Sequence, residues 1–275
     1  MRYIEKQDEP DEFVEWKERK DDKIWNKFKN RKKRIVKNAI VEEQGYICCY
    51  CGKRIHKDRN TRIEHLKSRS KYPDDTFNYK NLLVSCFGGD RQIVHSVEDE
   101  NDSLENISNR FCIPEWKIKA IGANKDIDFN DLALRQQITT SEIARQRSKY
   151  LHCDPKKGNH EISITPLMPD CDDFFRYKIN GEMISADSDD NDAKETIDIL
   201  GLNSPLCKDS RKAILDGIAE IIDSIINQLI SSNSLTKENL QSKVNKLIEG
   251  FNQRDENGQY APYCFVSISY LKTLC

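Results

Sequence analysis

A chain of 275 residues with 33% charged and 37% hydrophobic side chains is long enough for a substantial core, as one large or two small domains, and polar enough to be soluble. A formal net charge of −2 excludes a uniformly basic surface of the kind that grips nucleic acid through phosphates alone. Either the basic residues are gathered on one face, or a partner presents such a substrate. The charged start from Arg2 argues against a secretory signal. Asp216, Glu220 and Asp223 interrupt the most apolar stretch, 213–230, so it is not a membrane span. Ten cysteines with no secretion signal point to a reducing cytoplasm, where a C-x-x-C pair more often binds metal than forms a disulfide.

In chain order, a strand near Arg2–Ile4 and a short helix around Pro10 and Trp16 come first. Residues 23–43 read as one long helix, with Trp25, Phe28, Ile35, Ala39 and Ile40 on an apolar face. Between these runs a basic series, Lys27, Lys29, Arg31, Lys32, Lys33, Arg34 and Lys37. It is either a solvated helix face or a surface that tracks phosphates, and its place just before the first cysteine pair favours the second. Gly45 ends this helix in a left-handed cap.

Cys48 and Cys51 then form a C-x-x-C knuckle, with Gly52 in the turn and Cys49 as a packing residue. Cys86, with Cys153 or another of the cysteines, can supply the second half of a tetrahedral four-thiolate zinc site. Residues 62–66 alternate polar and apolar like a strand, which sets Glu64 on the opposite face from Ile63 and His65. Either the strand ends or twists at Glu64-His65, or only His65 points into a site. A carboxylate next to an imidazole of near-neutral pKa is the pair that metal-dependent phosphodiester hydrolysis needs. The turn at 72–75 leads to Asn81, which opens a second strand, Leu82-Leu83-Val84, ending near Cys86.

Residues 87–151 read as an insertion with no chemical motif; His95 and Cys112 are more simply structural than ligating. At Cys153-Asp154-Pro155 a helix starts, with Asp154 at the N-cap and Pro155 at the first helical position. Farther on, Ile162, Ile164 and Leu167 suggest a strand, and 174–184 a hairpin with an Asn180-Gly181 turn. Ser204-Pro205 starts a long helix whose stripe is Ile214, Ile218, Ile221, Ile225 and Leu229, widened by Leu215, Ile222, Ile226 and Ile230. Leu240 to Phe251 is a further helix, and Pro262–Leu271 a final helix or strand. Cys112, Cys171, Cys207, Cys264 and Cys275 read as ordinary buried thiols. No phosphate-binding loop is present, so the chain is not expected to hydrolyse ATP by itself.

The order of C-x-x-C, Glu64-His65, Asn81-Leu82, Cys86 and Cys153-Asp154-x-x-Lys157-Gly158 resembles the HNH, or ββα-metal, nuclease module. Met1-Arg2-Tyr3-Ile4, the approach Glu43 to Cys48, and His152 to Gly158 further resemble the HNH subunit (PtuB) of the Septu anti-phage system, which also occurs beside retrons. The specific motifs lie within 43–89 and 150–159. One departure is that Cys86 and Cys153 are far apart, where such modules hold the second cysteine pair close together.

The resemblance implies an α+β fold: a ββα-metal core with a four-cysteine zinc knuckle, set between mostly helical N- and C-terminal regions. The division expected is 1–45, 46–165 with the insertion, and 166–275. It implies a metal-dependent endonuclease acting on DNA or RNA. His65 is then the base, Glu64 and Asp154 hold magnesium or another divalent ion, and Asn81 pins the loop that orients His65. Cys48, Cys51, Cys86 and Cys153 hold a structural zinc, and Lys32, Lys33, Arg34, Lys156 and Lys157 contact phosphates. The implied partner is a Septu-type ATPase (PtuA), in some settings with a retron. The rival is a zinc-stabilised nucleic-acid- or protein-binding module that does not cleave. A four-cysteine site alone fits that rival, but the Glu64-His65 pair does not.

Overall fold

The computed structural model describes residues 1–19, 24, 25, 28, 31–58, 60–88 and 149–274. The basic residues Lys27 and Lys29, most of the expected insertion with His95 and Cys112, and Cys275 lie outside them. Within them the chain mixes helices with two small antiparallel sheets, an α+β composition.

The first ten residues are extended rather than a strand; Ile4 donates one backbone bond to Pro166 O (2.8 Å). Helix α1 (Asp11–Glu18) buries Phe13 and Trp16. Helix α2 is Arg31–Glu43, shorter than the sequence suggests. Trp25 and Phe28 are not on its face. They join Phe13, Trp16 and Phe77 in an aromatic cluster with ring centroids 4.5–6.0 Å apart. Aromatic periodicity here marks a packed cluster, not a continued helix. After α2, Gly45 adopts φ +61° and Tyr46 N donates to Val41 O (2.9 Å), closing the helix end.

Strands β1 (Thr61–His65) and β2 (Leu82–Cys86) pair antiparallel, Thr61 opposite Cys86 and His65 opposite Leu82. Two tight 3-10 turns, Pro73–Phe77 and Tyr79–Asn81, lead into β2. All of β2 is buried, and Leu82, Leu83 and Val84 each contribute roughly 1.5–3 kcal/mol by leaving water. The Gln44 amide pairs with β2 like a neighbouring strand, donating to Val84 O (2.9 Å) and accepting from Val84 N (2.8 Å). That couples the end of α2 to the sheet.

Helix α3 is a single turn, Asp154–Lys157. The strand expected near 162–167 is absent: Pro166 and Pro169 break any ladder, and Ile164 is simply a core anchor. Strands β3 (Phe175–Tyr177) and β4 (Met183–Ser185) form the hairpin. Its turn is closed by Gly181 N to Lys178 O (2.9 Å), so Ile179 and Asn180 are the central residues and Gly181 is the last. Helix α4 (Asn191–Ile199) is capped by Asp190, which accepts from Ala193 N (2.9 Å).

The long helix α5 (Pro205–Ser231) buries Leu215, Ile218, Ile222 and Leu229, whereas Ile221 and Ile230 face outward. Its buried Arg211 donates to Gly181 O and Leu202 O (2.7 Å each), tying the hairpin down. Helices α6 (Lys237–Asn252) and α7 (Cys264–Lys272) pack with it. Tyr263, Phe265 and Val266 reach Ile47 beside the knuckle. Among the described residues no helix is long and apolar enough to cross a membrane.

Candidate active site and cysteine cluster

The knuckle is a tight turn. Gly52 N donates to Cys48 O (3.1 Å) with Gly52 at φ +79°. A Cβ on Gly52 would stand 2.5 Å from the Phe265 ring, so both backbone and packing demand glycine. The hairpin of β1 and β2 delivers Cys86, and the turn into α3 delivers Cys153. The sulfurs of Cys48, Cys51, Cys86 and Cys153 all lie within 4.8 Å of one another, and all four residues are buried. Cys48 Sγ is 3.8 Å from Cys153 Sγ, and Cys51 Sγ is 3.7 Å from Cys86 Sγ. A disulfide needs about 2.05 Å. A tetrahedron with metal–sulfur bonds of about 2.3 Å has edges of about 3.8 Å. The spacing therefore fits a metal such as zinc, and Cys86 N already donates to Cys48 Sγ (3.3 Å).

Charge points the same way. Burial works against ionising Cys48, but hydrogen bonds from Cys153, Cys49, Cys51 and Cys86 hold its thiol well below the ordinary range. Burial, with hydrogen bonds to the other three, pushes Cys153 well above it. The protein stabilises a thiolate at Cys48 but not at Cys153, so full deprotonation calls for a cation.

Cys49 lies outside the four-sulfur cluster and is itself buried. Two further neighbours adjoin the cluster: Cys207, which the sequence reads as an ordinary buried thiol, and His152, which the sequence offers as an outer-shell group beside Cys153. Cys207 hydrogen-bonds Cys51, and that bond, with burial, pushes its thiol up to about 12. His152, just before the last cysteine, is buried with Nδ1 3.1 Å from Cys153 Sγ.

A cleft of about 520 Å³ opens beside this cluster, bordered by Glu64, His65, Arg69, Asp154, Asn159 and Trp25 among others. The last three residues of β1, Ile63, Glu64 and His65, all border it. His65 Nε2 lies 3.1 Å from Thr76 O. A carbonyl only accepts, so this contact assigns the proton to Nε2 and leaves Nδ1 as the basic nitrogen.

Asn81 holds this loop. Its Oδ1 accepts from Lys67 N (2.7 Å), and its Nδ2 donates to Lys67 O and Asp75 O (3.1 Å each). The next carbonyl after Asp75 is the one that meets His65. Trp25 stands edge-on to the imidazole at 4.4 Å. Burial, opposed by the Thr76 bond and assisted by Arg69 and Lys33, lowers the His65 pKa to about 4.

Glu64 Oε1 accepts from Tyr50 OH (2.9 Å) and is paired with Lys157 Nζ (2.9 Å). Burial, then a hydrogen bond to the Asp154 carboxyl and that group's charge, raise the Glu64 pKa to about 8 against the pull of Lys157. Asp154 is half-buried, and Arg62 reaches it at 3.8 Å. The N-cap is Cys153, at φ 56°, so Asp154 is the first helical residue and not the cap. Its carboxylate is committed to the cleft instead. Two adjoining carboxyl groups that border the cleft, Glu64 buried and Asp154 half-buried, suit a hard divalent cation with oxygen ligands.

Of the basic residues, Lys32, Arg34 and Lys156 are exposed. Lys33 is half-buried, its ammonium 4.6 Å from the centre of the Trp25 ring. Lys157, expected at the surface, is fully enclosed, because helical phase turns its side chain under β1. Its ammonium cannot meet a phosphate outside. Arg69, which belongs to no motif, borders the cleft and lies 5.5 Å from the Trp25 ring centre. Its one sequence signal is a cation a few residues after Glu64-His65. Tyr50, inside the C-x-x-C, carries none.

No protein-family model matches the chain. It is similar to the Escherichia coli protein named "Retron Ec83 putative HNH endonuclease", 24% identical over 242 residues, covering 78% of this chain and 79% of that protein. It is also similar to the Vibrio cholerae protein named "Retron Vc95 putative HNH endonuclease", 22% identical over 227 residues, covering 80% of this chain and 77% of that one.

Proposed function

We propose that this chain is a metal-dependent endonuclease of HNH type, the nuclease of a retron-associated or Septu-like anti-phage assembly that also contains an ATPase. The observation that carries the reading is the single cleft in which Glu64, His65 and Asp154 meet, with His65 Nδ1 unprotonated. The names of the two relatives support it independently.

Residues 46–165 form the ββα-metal core, with β1, β2 and α3 as its three elements. Cys48, Cys51, Cys86 and Cys153 would hold zinc in a closed, structural site. Glu64 and Asp154 would hold magnesium or a similar ion, which when bound supplies charge stabilisation at the phosphate and the departing 3′ oxygen.

The chain's own residues do the rest. His65 Nδ1 takes a proton from the attacking water. The Thr76 carbonyl fixes the tautomer, and the lowered pKa keeps the imidazole in its neutral, proton-accepting form at cytoplasmic pH, at a cost in basicity. Asn81 holds the loop that carries Thr76, and Trp25 holds the ring. Arg69, Lys32, Arg34 and Lys156 bind flanking phosphates, while Lys33, expected from sequence to do the same, lies over the Trp25 ring.

The test is incubation of the purified, zinc-replete protein with plasmid DNA and with total RNA in magnesium and ATP, alone and with the co-encoded ATPase. Cleavage that requires magnesium and leaves 5′-phosphate ends is expected. Tight binding with no cleavage under every condition would replace this reading with a non-catalytic zinc module.

A further inference from the structure

Lysine is almost never fully buried unless it is paired. Lys157 is 0% exposed, and its ammonium reaches two acceptors at the site: Glu64 Oε1 at 2.9 Å and His65 O at 3.1 Å. It thus holds two consecutive residues of β1 from the turn that carries Cys153 and Asp154. Tyr50 OH occupies the same Oε1 at 2.9 Å. Two donors on one oxygen leave Glu64 only Oε2 to share with Asp154.

We infer that Lys157, helped by Tyr50, is a positioning and selectivity residue that makes Glu64 a one-oxygen ligand and so favours a small octahedral cation over calcium. This rests on reading the cleft as a divalent-cation site. Calcium takes more oxygens and accepts a carboxylate through both, whereas magnesium and manganese keep about six oxygens at short distance and are served by one from each carboxylate. The ammonium also lowers the negative charge of the Glu64–Asp154 pair, which weakens cation binding in exchange for geometry. Loss of Lys157 should therefore tighten cation binding and slow the reaction together. A residue with a merely structural role would weaken both.

The experiment uses the full zinc-loaded chain and titration calorimetry with manganese and with calcium. Lys157→Met is expected to bind manganese at least ~10-fold more tightly, the effect of removing a unit charge a few ångströms away even under water-like screening. Calcium should gain more than manganese, narrowing the ratio of their affinities. Tyr50→Phe should narrow it in the same direction but less. Unchanged or weaker binding of both cations in Lys157→Met would overturn the inference.

Should Lys157→Met fail to fold, Tyr50→Phe and the double variant Lys157→Met/Glu64→Gln decide it. Removing both charges should restore folding and a melting temperature above that of Glu64→Gln alone, which leaves the buried ammonium without its counter-charge. A double variant no more stable than that single one, or an unchanged cation ratio in Tyr50→Phe, overturns it as well. None of these readouts depends on cleavage. A wild-type protein that cuts nothing would sink the nuclease reading while the cation ratios still decide the role of Lys157. A cutting wild type with an unaltered cation ratio in Lys157→Met would sink only this inference.

Discussion

The cysteine cluster and the cleft are built from the same parts. Cys86 and Leu82, the partner of His65, stand at opposite ends of β2, roughly 13 Å apart at strand rise. Yet Cys153 and Asp154 are consecutive, so one turn of chain touches both centres. Their chemistry differs. The cluster is four buried ligands of one kind with no open face. The cleft is bordered by two carboxyl groups and an imidazole, Glu64 and His65 buried and tied to the protein and Asp154 half-buried. Closed, uniform coordination serves folding, and open, mixed coordination serves reaction. Damage to the first should then abolish the fold, and damage to the second should abolish chemistry alone.

The largest effect is expected from Cys51→Ser. Binding energy on the order of 10 kcal/mol at four-cysteine sites is folding energy. The variant should lose zinc by elemental analysis and lose cooperative melting. A full complement of zinc, with normal melting, would show that the cluster is not the metal site. His65→Ala is the opposite case: zinc content and melting should hold while cleavage falls at least ~10²-fold, the lower size of a general-base contribution. A folded His65→Ala that cleaves at the wild-type rate would end the base assignment.

How far can this contrast be read from sequence? Short-range chemistry is legible. The C-x-x-C and the Glu64-His65 pair announce themselves by residue type, Asn81, Cys86 and Cys153 by the resemblance to the HNH module, and the structure brings the four cysteines together and sets Glu64 beside His65. Direction is not legible. Lys156 and Lys157 are neighbours of the same type, yet one is exposed and the other enclosed, because a four-residue helix offers no periodicity from which to read its phase. Asp154 is a strong capping residue, but Cys153 takes the cap by adopting a positive φ that sequence does not encode for cysteine. Trp25 and Phe28 match helical spacing but serve a cluster whose other members, Phe13, Trp16 and Phe77, come from distant stretches. Cys207 reaches the cluster from a helix more than fifty residues downstream of Cys153, and only tertiary packing makes it a neighbour.

Asp154→Ala sharpens the contrast within the cleft. Cleavage should fall by about as much as in His65→Ala, but raised manganese should recover part of it, since the ion's affinity and not the base is lost. No rescue at any metal concentration would remove Asp154 from the cation site. Because Cys153 and not Asp154 caps α3, melting should change little. A milder probe is pH. With its pKa raised to about 8, Glu64 is protonated below that value, and the cation must displace the proton. Apparent manganese affinity should therefore rise about tenfold per unit from pH 6 to 8 and level off above it. A flat profile would mean that Glu64 is not a ligand. His65, neutral down to about 4, adds no slope in this window.

The smallest effect belongs to neither centre but to the helix that flanks them. Lys32 and Arg34 are exposed on α2, and Lys33 lies against Trp25, which in turn backs His65. Reversing all three to glutamate confounds two roles, because the Lys33 change also disturbs the ring behind the base. The separable variant is Lys32→Glu/Arg34→Glu. For every phosphate that is no longer neutralised, the slope of log affinity against log salt should shrink by roughly 0.7–0.9, with binding weakened at low salt and little change near 0.5 M. Melting should be unaffected, since neither side chain is buried, and the rate at saturating substrate should hold. Lys33→Met, by contrast, should lower that rate several-fold if the cation over Trp25 helps to seat the imidazole, while leaving the salt slope nearly intact. An unchanged slope in the double variant would return this face to simple solvation and leave Arg69 and Lys156 to meet the substrate alone.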